Sequence, residues 1–289
     1  MKYVFIINPI SGGKNTASQL QNYITRIFQG SSHSYEILFT CYPGHAYEIA
    51  AQAMNDKIDI VVAAGGDGTM NEVCSALVYS ETAFGLIPMG SGNGFARSLG
   101  IPLNLDEAIK RLIHPHIISI DAGKINDGYF FGVAGVGLDA QIAQRFQEFG
   151  KRGPLPYFYV GFREFFSFSY KEIKISFNDQ ELIIHPLLIT VANTHQYGNG
   201  AVIAPHADYN DGLLDLCIIE KFNVWEGLIK FPYLFNNKID RLSSYRTYRT
   251  AELHISHIDD GIFHTDGEPH KGGRELHINL LRCALKVCV

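Results

Sequence analysis

The chain is poor in what several large classes of protein require. Lys and Arg number 24 against 29 Asp and Glu, a net charge of -5, so the overall balance gives nucleic acid no attraction and no nucleic-acid partner is expected. Only a local basic patch could supply one. The five cysteines, Cys41, Cys74, Cys217, Cys283 and Cys288, contain no Cys-x-x-Cys pair. That fits neither a disulfide framework nor a zinc ribbon, and matches a reducing, cytoplasmic setting. No apolar run approaches the roughly 18 residues of a spanning helix. The opening Tyr3-Val4-Phe5-Ile6-Ile7 breaks at Asn8-Pro9, too short for the apolar core of a signal peptide. Any work at a membrane is therefore expected from its surface. Internal repeats and low-complexity linkers are also absent.

What is present is a 289-residue chain with 46% hydrophobic and 12% aromatic content. This excludes disorder and suffices for one large core or two medium ones. Up to about residue 115 the pattern alternates. Tyr3 to Ile7, Ile37 to Phe39, Ile58 to Ala64 and Phe84 to Ile87 read as strands, and 15–28, 45–55, 69–79 and 104–113 carry helical spacing. Such alternation predicts an α/β domain, a parallel sheet with covering helices. From Ile117 on, β-rich stretches meet at the turn signals Asn126-Asp127-Gly128, Asn178-Asp179 and Asp260-Gly261, with helical segments near 137–149, 155–168 and 224–236. The second part is expected to be antiparallel β, with the boundary between 115 and 120.

Three glycine turns carry the chemistry. Residues 60–72 run from an apolar strand through Gly65-Gly66-Asp67-Gly68-Thr69 into a helix with Asn71 and Glu72. Glycines allow close backbone approach to a ligand, and a helix N-terminus offers free N–H groups to an anion, so a phosphate cradle is expected here, with an ordinary βα turn capped by Asp67 or Thr69 as the alternative. Pro88-Met89-Gly90-Ser91-Gly92-Asn93-Gly94 repeats the logic, and Asn8-Pro9-Ile10-Ser11-Gly12-Gly13-Lys14 follows the first strand. Lys14-Asn15 does not complete a Walker loop, and no Gly-x-Gly-x-x-Gly follows the first strand. Turns leaving strands of one parallel sheet converge at its carboxyl edge, where ligands bind in such folds.

Asn8-Pro9-x-Ser11-Gly12, Gly65-Gly66-Asp67-Gly68-Thr69 and Pro88-x-Gly90-Ser91-Gly92-Asn93, in this order, resemble the diacylglycerol kinase catalytic-domain family, which includes bacterial lipid kinases and the sphingosine and ceramide kinases. The match extends through Thr40 with Gly44-His45-Ala46, Ile120-Asp121-x-Gly123, Gly135-x-Gly137-x-Asp139-Ala140, Ala204-Pro205-x-Ala207, Asp211-Gly212-Leu213-Leu214-Asp215 and Asp266-Gly267-Glu268-Pro269. Gly-Gly-Asp-Gly-Thr alone is equally similar to NAD kinases; the late acidic segments favour the lipid-kinase side.

The resemblance implies an α/β N-terminal domain over 1–118 and a C-terminal antiparallel β-sandwich over 119–289, whose last strands are free to return to the first domain, with the active site in the cleft between them. It implies an ATP- and Mg²⁺-dependent transfer of the γ-phosphoryl to a lipid hydroxyl, at the inner membrane face, and leaves a homodimer open. Nucleotide contacts would fall on Asn8, Pro9, Ser11, Gly12, Thr40, Gly65, Gly66, Asp67, Gly68, Thr69, Asn71 and Ser91. Asp67 would serve the nucleotide-side Mg²⁺, or act as the base. Glu268 would be the proton acceptor, with Asp266 sharing or supporting that role. A structural Mg²⁺ would be held by Asp211 and by backbone oxygens at Asp208 and Leu213. Gly-Ser-Gly-Asn at 90–93 is a form of the sphingosine and ceramide kinase branch, and Tyr197-Gly198-Asn199-Gly200 interrupts a glycine triplet frequent in the family; both bear on the acceptor. A soluble NAD kinase-type enzyme and a non-catalytic nucleotide or lipid binder are the alternatives.

Two further stretches are singled out. Residues 149–171 combine nine aromatics with Lys151, Arg152, Arg163 and Lys171, which suits either a lipid interface or a buried helix. A second amphipathic stretch, Trp225, Leu228, Ile229, Phe231 and Leu234, would line an acyl pocket or cover the sheet. His254, His257, His264 and His270 stand among Asp259, Asp260, Asp266 and Glu268, but without metal-ligand spacing. On a strand, His254 and His257 would face opposite sides, so these are read as scattered histidines of a β domain.

Overall fold

A computed structural model describes residues 1–13, 16–149, 154–221, 227, 231–258, 261–272 and 274–289, with side chains of the helix at 154–167 described from Tyr159 on. The chain divides into two compact units, Met1–Asp121 with Arg282–Val289, and Ala122–Leu281.

The first unit contains β1 (Lys2–Ile7), α1 (Thr16–Phe28), β2 (Ser34–Phe39), α2 (His45–Asn55), β3 (Ile60–Gly65), α3 (Asp67–Ala76), β4 (Ala83–Pro88), α4 (Gly94–Ser98), α5 (Leu105–Arg111) and the start of β5 (Ile117–Ile125). Its strands pair in parallel in the order β2-β1-β3-β4. β3 and β4 are buried at every position, as expected of apolar strands covered on both faces. Tyr3, Phe5, Phe28, Ile60, Val62 and Ile87 lie in one core, where each fully buried large side chain contributes about 1.5–3 kcal/mol. α5 is defined by local chemistry: the Asn104 side chain accepts from the Glu107 N–H at 3.2 Å, with acids in the first turn and Lys110 and Arg111 in the last. α3 begins two residues earlier than its spacing predicts, at Asp67, because Gly66 in extended conformation already caps it. It ends at Ala76, and left-handed Tyr79 turns the chain away.

The second unit contains the end of β5, then β6 (Gly128–Phe130), β7 (Val133–Gly137), α6 (Leu138–Phe149), α7 (Pro154–Ser167), β8 (Ile173–Phe177), β9 (Gln180–Ile184), β10 (Pro186–Ala192), β11 (Gln196–Gly198), β12 (Ala201–Val202), β13 (Leu214–Glu220), β14 (Tyr245–Thr250), β15 (Glu252–Ser256), β16 (Ile262–Thr265), β17 (Glu268–Lys271) and β18 (Glu275–Cys288). β14-β13-β10-β7-β16-β17 form one antiparallel sheet, and β18-β15-β8-β9 pair antiparallel in another. Val136, Ile189, Leu216 and Ile218 of the first pack with Ile175, Leu253, Ile255 and Ile278 of the second, which makes a β-sandwich. The turns at Asn126-Asp127 and Asn178-Asp179 join consecutive strands, with Asn126, Asn178 and Asp179 at positive φ. Asp260 lies outside the described residues, as do Trp225, Leu228 and Ile229. Of the helix expected over 224–236, the described part is a 3-10 turn, Phe231–Leu234. The last half of β18 belongs to the first unit, where Val287 pairs in parallel with Phe84 of β4.

Candidate active site

Because β2, β1, β3 and β4 are neighbours, the segments leaving their carboxyl ends line up: Thr40, then Asn8 to Gly13, then Gly65 to Thr69, then Met89 to Asn93. The chain leaves β1 toward β2 on one side and leaves the neighbouring β3 toward β4 on the other, so the switch point where an open parallel sheet forms its crevice lies between β1 and β3. A side-chain bond spans it, from Asn8 Nδ2 to Thr69 Oγ1 at 2.9 Å. Asn8 Oδ1 accepts from the Ile10 N–H, Thr16 donates to the Gly12 carbonyl at 2.7 Å, and Thr40 N–H extends the ladder to the Ile7 carbonyl. Ser11 is buried, and Pro9 and Ser91 are exposed.

The glycines are required by contact. A Cβ on Gly65 would stand 2.6 Å from Thr69 Cβ, and one on Gly90 would stand 2.9 Å from Gly66 Cα. Asn93, itself left-handed, closes the second turn by accepting from the Gly90 N–H and donating to its carbonyl, both at 2.9 Å. Asp67 is the first residue of α3, half-buried, with Gly68 behind it; Asn71, one turn on, accepts from Ser75. An oxygen-only side chain at a helix N-terminus suits a hard cation, and the bare backbone beside it suits phosphate.

The second acidic segment is anchored differently. Asp266, at φ 50, turns the chain between β16 and β17. Its carboxylate accepts three backbone N–H bonds, from Phe131 at 3.0 Å and from Gly132 and Val133 at 2.7 and 3.1 Å. Its own N–H donates to the Val133 carbonyl at 2.8 Å. Below it lies a buried cluster in which Asp139 Oδ2 takes bonds from Thr190, Tyr197 and His264 at 3.1–3.2 Å. His264 Nδ1 accepts from the Gly267 N–H at 3.4 Å, leaving Nε2 to donate to Asp139. Gly135 makes room for this pair, since a Cβ there would lie 2.3 Å from Asp139 Oδ2. Glu268, two residues from Asp266, is exposed at the start of β17.

In the loop before β13, Asp208 Oδ1 accepts from the Asn210 N–H and Asp211 Oδ1 from the Leu213 N–H at 3.0 Å. Asp211 Oδ2 pairs with the Arg249 guanidinium, whose Nε lies 3.9 Å from Asp215 Oδ2. That Asp215 oxygen is buried with no hydrogen bond, and burial raises the carboxyl to about 6, against a smaller opposing pull from His206. Asp211 offers carboxylate oxygen of the kind a hard cation takes, with Arg249 its competitor, but among the described residues Asp208, Asp211 and Asp215 do not converge as a three-acid donor set.

Comparison with known proteins adds the lineage. Residues 2–125 match the model of the diacylglycerol kinase catalytic domain, and 132–289 that of the YegS C-terminal NAD kinase beta sandwich-like domain. The chain belongs to the diacylglycerol kinase catalytic-domain family. It is 32% identical to a diacylglycerol kinase of Bacillus subtilis, over 76% of this chain and 74% of that protein. It is 30% identical to the Salmonella arizonae protein named Probable lipid kinase YegS, over 96% of this chain and 93% of the other. A crystal structure of a diacylglycerol kinase from Bacillus anthracis str. Sterne superposes with a TM-score of 0.73 at 20% identity, covering 99% and 96% of the two chains, a likeness of fold.

The residues expected to contact nucleotide, Asn8 through Ser91, lie in the first unit, and Asp266, Glu268 and the Asp208–Leu213 loop lie in the second. Two supporting residues are silent in the sequence. Glu72 accepts from the Gly44 and Ala46 N–H groups at 2.9 and 3.1 Å and so seats the start of α2. His264, read as one of several scattered histidines, proves to be 2% exposed and bonded to Asp139. Gly135 leaves room for the pair, but nothing in the local sequence names His264 as the partner of Asp139.

Proposed function

We propose that the chain is an ATP- and Mg²⁺-dependent lipid kinase, transferring the γ-phosphoryl to a hydroxyl of diacylglycerol or of a sphingoid or other lipid alcohol. The observation that carries it is the row of glycine turns on adjacent strand ends, bridged by Asn8 and Thr69, in a chain whose relatives are named lipid and diacylglycerol kinases. Phosphoryl transfer asks mainly for positioning and charge neutralisation, which backbone N–H groups at turns and a helix N-terminus supply. Asp67 would hold the Mg²⁺, which when bound neutralises charge on the phosphates. Glu268 takes the proton of the acceptor hydroxyl, the hydroxyl oxygen bonds to the γ-phosphorus, and the bond to the β-bridging oxygen breaks to leave ADP. Asp266, with both carboxylate oxygens on backbone N–H groups, positions Glu268 in this scheme. Asp211, with backbone oxygens at Asp208 and Leu213, would hold a structural Mg²⁺, for which Asp211 would have to give up Arg249.

The chain would meet its acceptor at the inner membrane face. Among the described residues no helix is long and apolar enough to cross a membrane. On α7, Tyr159, Phe162 and Phe166 are 60%, 58% and 53% exposed, while Val160 and Glu164 face inward, so one aromatic edge is available to headgroups. Lys151 and Arg152 lie outside the described residues.

The test is transfer of label from γ-labelled ATP to diacylglycerol, sphingoid bases and isoprenoid alcohols in mixed micelles, with Mg²⁺ and with chelator. Labelling of a lipid, lost with chelator and in Asp67→Asn, is expected. If NAD or another soluble acceptor were labelled without detergent while every lipid stayed unlabelled, the lipid reading would fall.

A further inference from the structure

Among the described residues, one group of side chains able to ligate a metal stands apart from the glycine turns, the Asp266 corner and the Asp211 loop: His254 on β15 with Glu275 and His277 on β18. The register explains the meeting. His254 lies directly opposite His277 in the antiparallel β15–β18 ladder. The backbone N–H and C=O of His277 both engage Asn126, the first with its Oδ1 and the second with its N–H, at 2.9 Å each. His277 therefore spends no ladder bond on His254, and such non-hydrogen-bonded pairs bring side chains closest. The two imidazoles stack with centroids 4.3 Å apart and planes 17° from parallel. Asn126 Nδ2 also donates to the Glu275 carbonyl at 3.2 Å, which steadies the strand carrying the third group.

Glu275, two residues before His277, projects from the same face of β18. Its Oε2 lies 3.8 Å from His254 Nε2, and one ligand atom from each of the three residues falls within 4.8 Å of the others. His254 Nε2 is buried with no hydrogen-bond partner, an unspent lone pair or N–H in a polar setting. Glu275 also lines a cavity of about 420 Å³ with Glu172, His257 and Arg274, which offers a way in from solvent.

We propose that His254, His277 and Glu275 form a binding site for a divalent transition metal of the Zn²⁺ class, clamping β15 to β18. Two imidazoles and one carboxylate are a donor set chosen by Zn²⁺ and its neighbours rather than by Mg²⁺, which prefers oxygen alone. Tetrahedral coordination at ordinary Zn–N and Zn–O lengths places ligand atoms about 3.4 Å apart. The ligand atoms, within 4.8 Å of one another, would close to that separation by side-chain rotations that unstack the two rings. The fourth position stays open to water. The site is separate from the Mg²⁺ positions of the proposed kinase reaction and does not depend on that reading.

Metal-free protein is titrated with Zn²⁺, and with Co²⁺ read by visible absorption, in a Cys41→Ser, Cys283→Ser background that removes the exposed thiols. One ion per chain, a Co²⁺ spectrum of tetrahedral type, a higher melting temperature with Zn²⁺ and no displacement by excess Mg²⁺ are expected. His277→Ala and His254→Ala should each weaken Zn²⁺ binding by at least ~10-fold, and Glu275→Gln by less. His277 is exposed, so its variant keeps the metal-free melting temperature and separates loss of binding from loss of fold. Retention of less than one ion by the parent, or unchanged binding in His277→Ala, overturns the site.

Discussion

The carboxyl edge of the first unit and the Asp266 corner of the second solve the problem of positioning by opposite means. At the edge, position comes from what is missing. Gly65, Gly66 and Gly90 bring two loops within van der Waals distance because they have no Cβ, and one bond, Asn8 to Thr69, ties the turn after β1 to the turn after β3. At the corner, position comes from buried polar side chains. Asp266 spends its carboxylate on Phe131, Gly132 and Val133, and the Asp139–His264 pair lies underneath. Presenting backbone N–H groups needs bare backbone on a rigid sheet. Aiming one carboxylate needs its neighbours locked by bonds that leave Glu268 itself exposed.

Four measurements can break or sharpen this contrast. Glu268→Gln should lower phosphoryl transfer by ~10²–10⁴-fold if the residue is the proposed proton acceptor, with little change in melting temperature because it is exposed. Asp266→Ala should lower both transfer and stability, the latter by about 1–3 kcal/mol in urea unfolding, since three backbone donors lose their acceptor. A loss of transfer with full stability would make Asp266 a chemical partner of Glu268 rather than its anchor. Gly90→Ala should cost about 1–3 kcal/mol by crowding Gly66, and raise the KM for ATP more than it lowers kcat. An unaltered KM would dissociate that turn from the nucleotide.

The smallest effect is in pH. Burial holds His195 below its ordinary value of 6.5, and its Nε2 faces the Gln196 amide nitrogen at 3.1 Å. A depressed folded value means that the unfolded chain binds the proton first, so stability present above about 6.5 is lost as pH falls through that value. Thermal unfolding followed from pH 7.5 to 5 should show this decline, shallower in His195→Gln.

The parallel sheet was legible because β1, β3 and β4 are short apolar runs between amphipathic helices, and strands covered on both faces need no more than that. The glycine turns were legible because each follows such a strand. α3 starts two residues before its helical spacing does, since extended Gly66 caps it without a side-chain signal. On the corner, the residues of Asp266-Gly267-Glu268 by themselves read as a turn with two acids, and only the family resemblance distinguishes Glu268 as proton acceptor from Asp266 as its support. Their difference, one bonded to backbone N–H groups and the other exposed, comes from a segment more than a hundred residues earlier. The same holds for the loop at Asp211, where Arg249 arrives through the β13–β14 pairing.

The sequence by itself determined the two classes of architecture, the strand ends that carry glycine turns and the acids available for chemistry, because periodicity, turn residues and apolar runs are local properties. Only the tertiary structure decided which acid is spent as an anchor, which histidine is buried with Asp139 and which meets another across a ladder. His254 and His257, close in sequence, do not form the metal-ligating group; His254 and His277 do, because antiparallel register sets a residue opposite one far along the chain. Register and burial are decided by which faces pack together, and no local spacing encodes that.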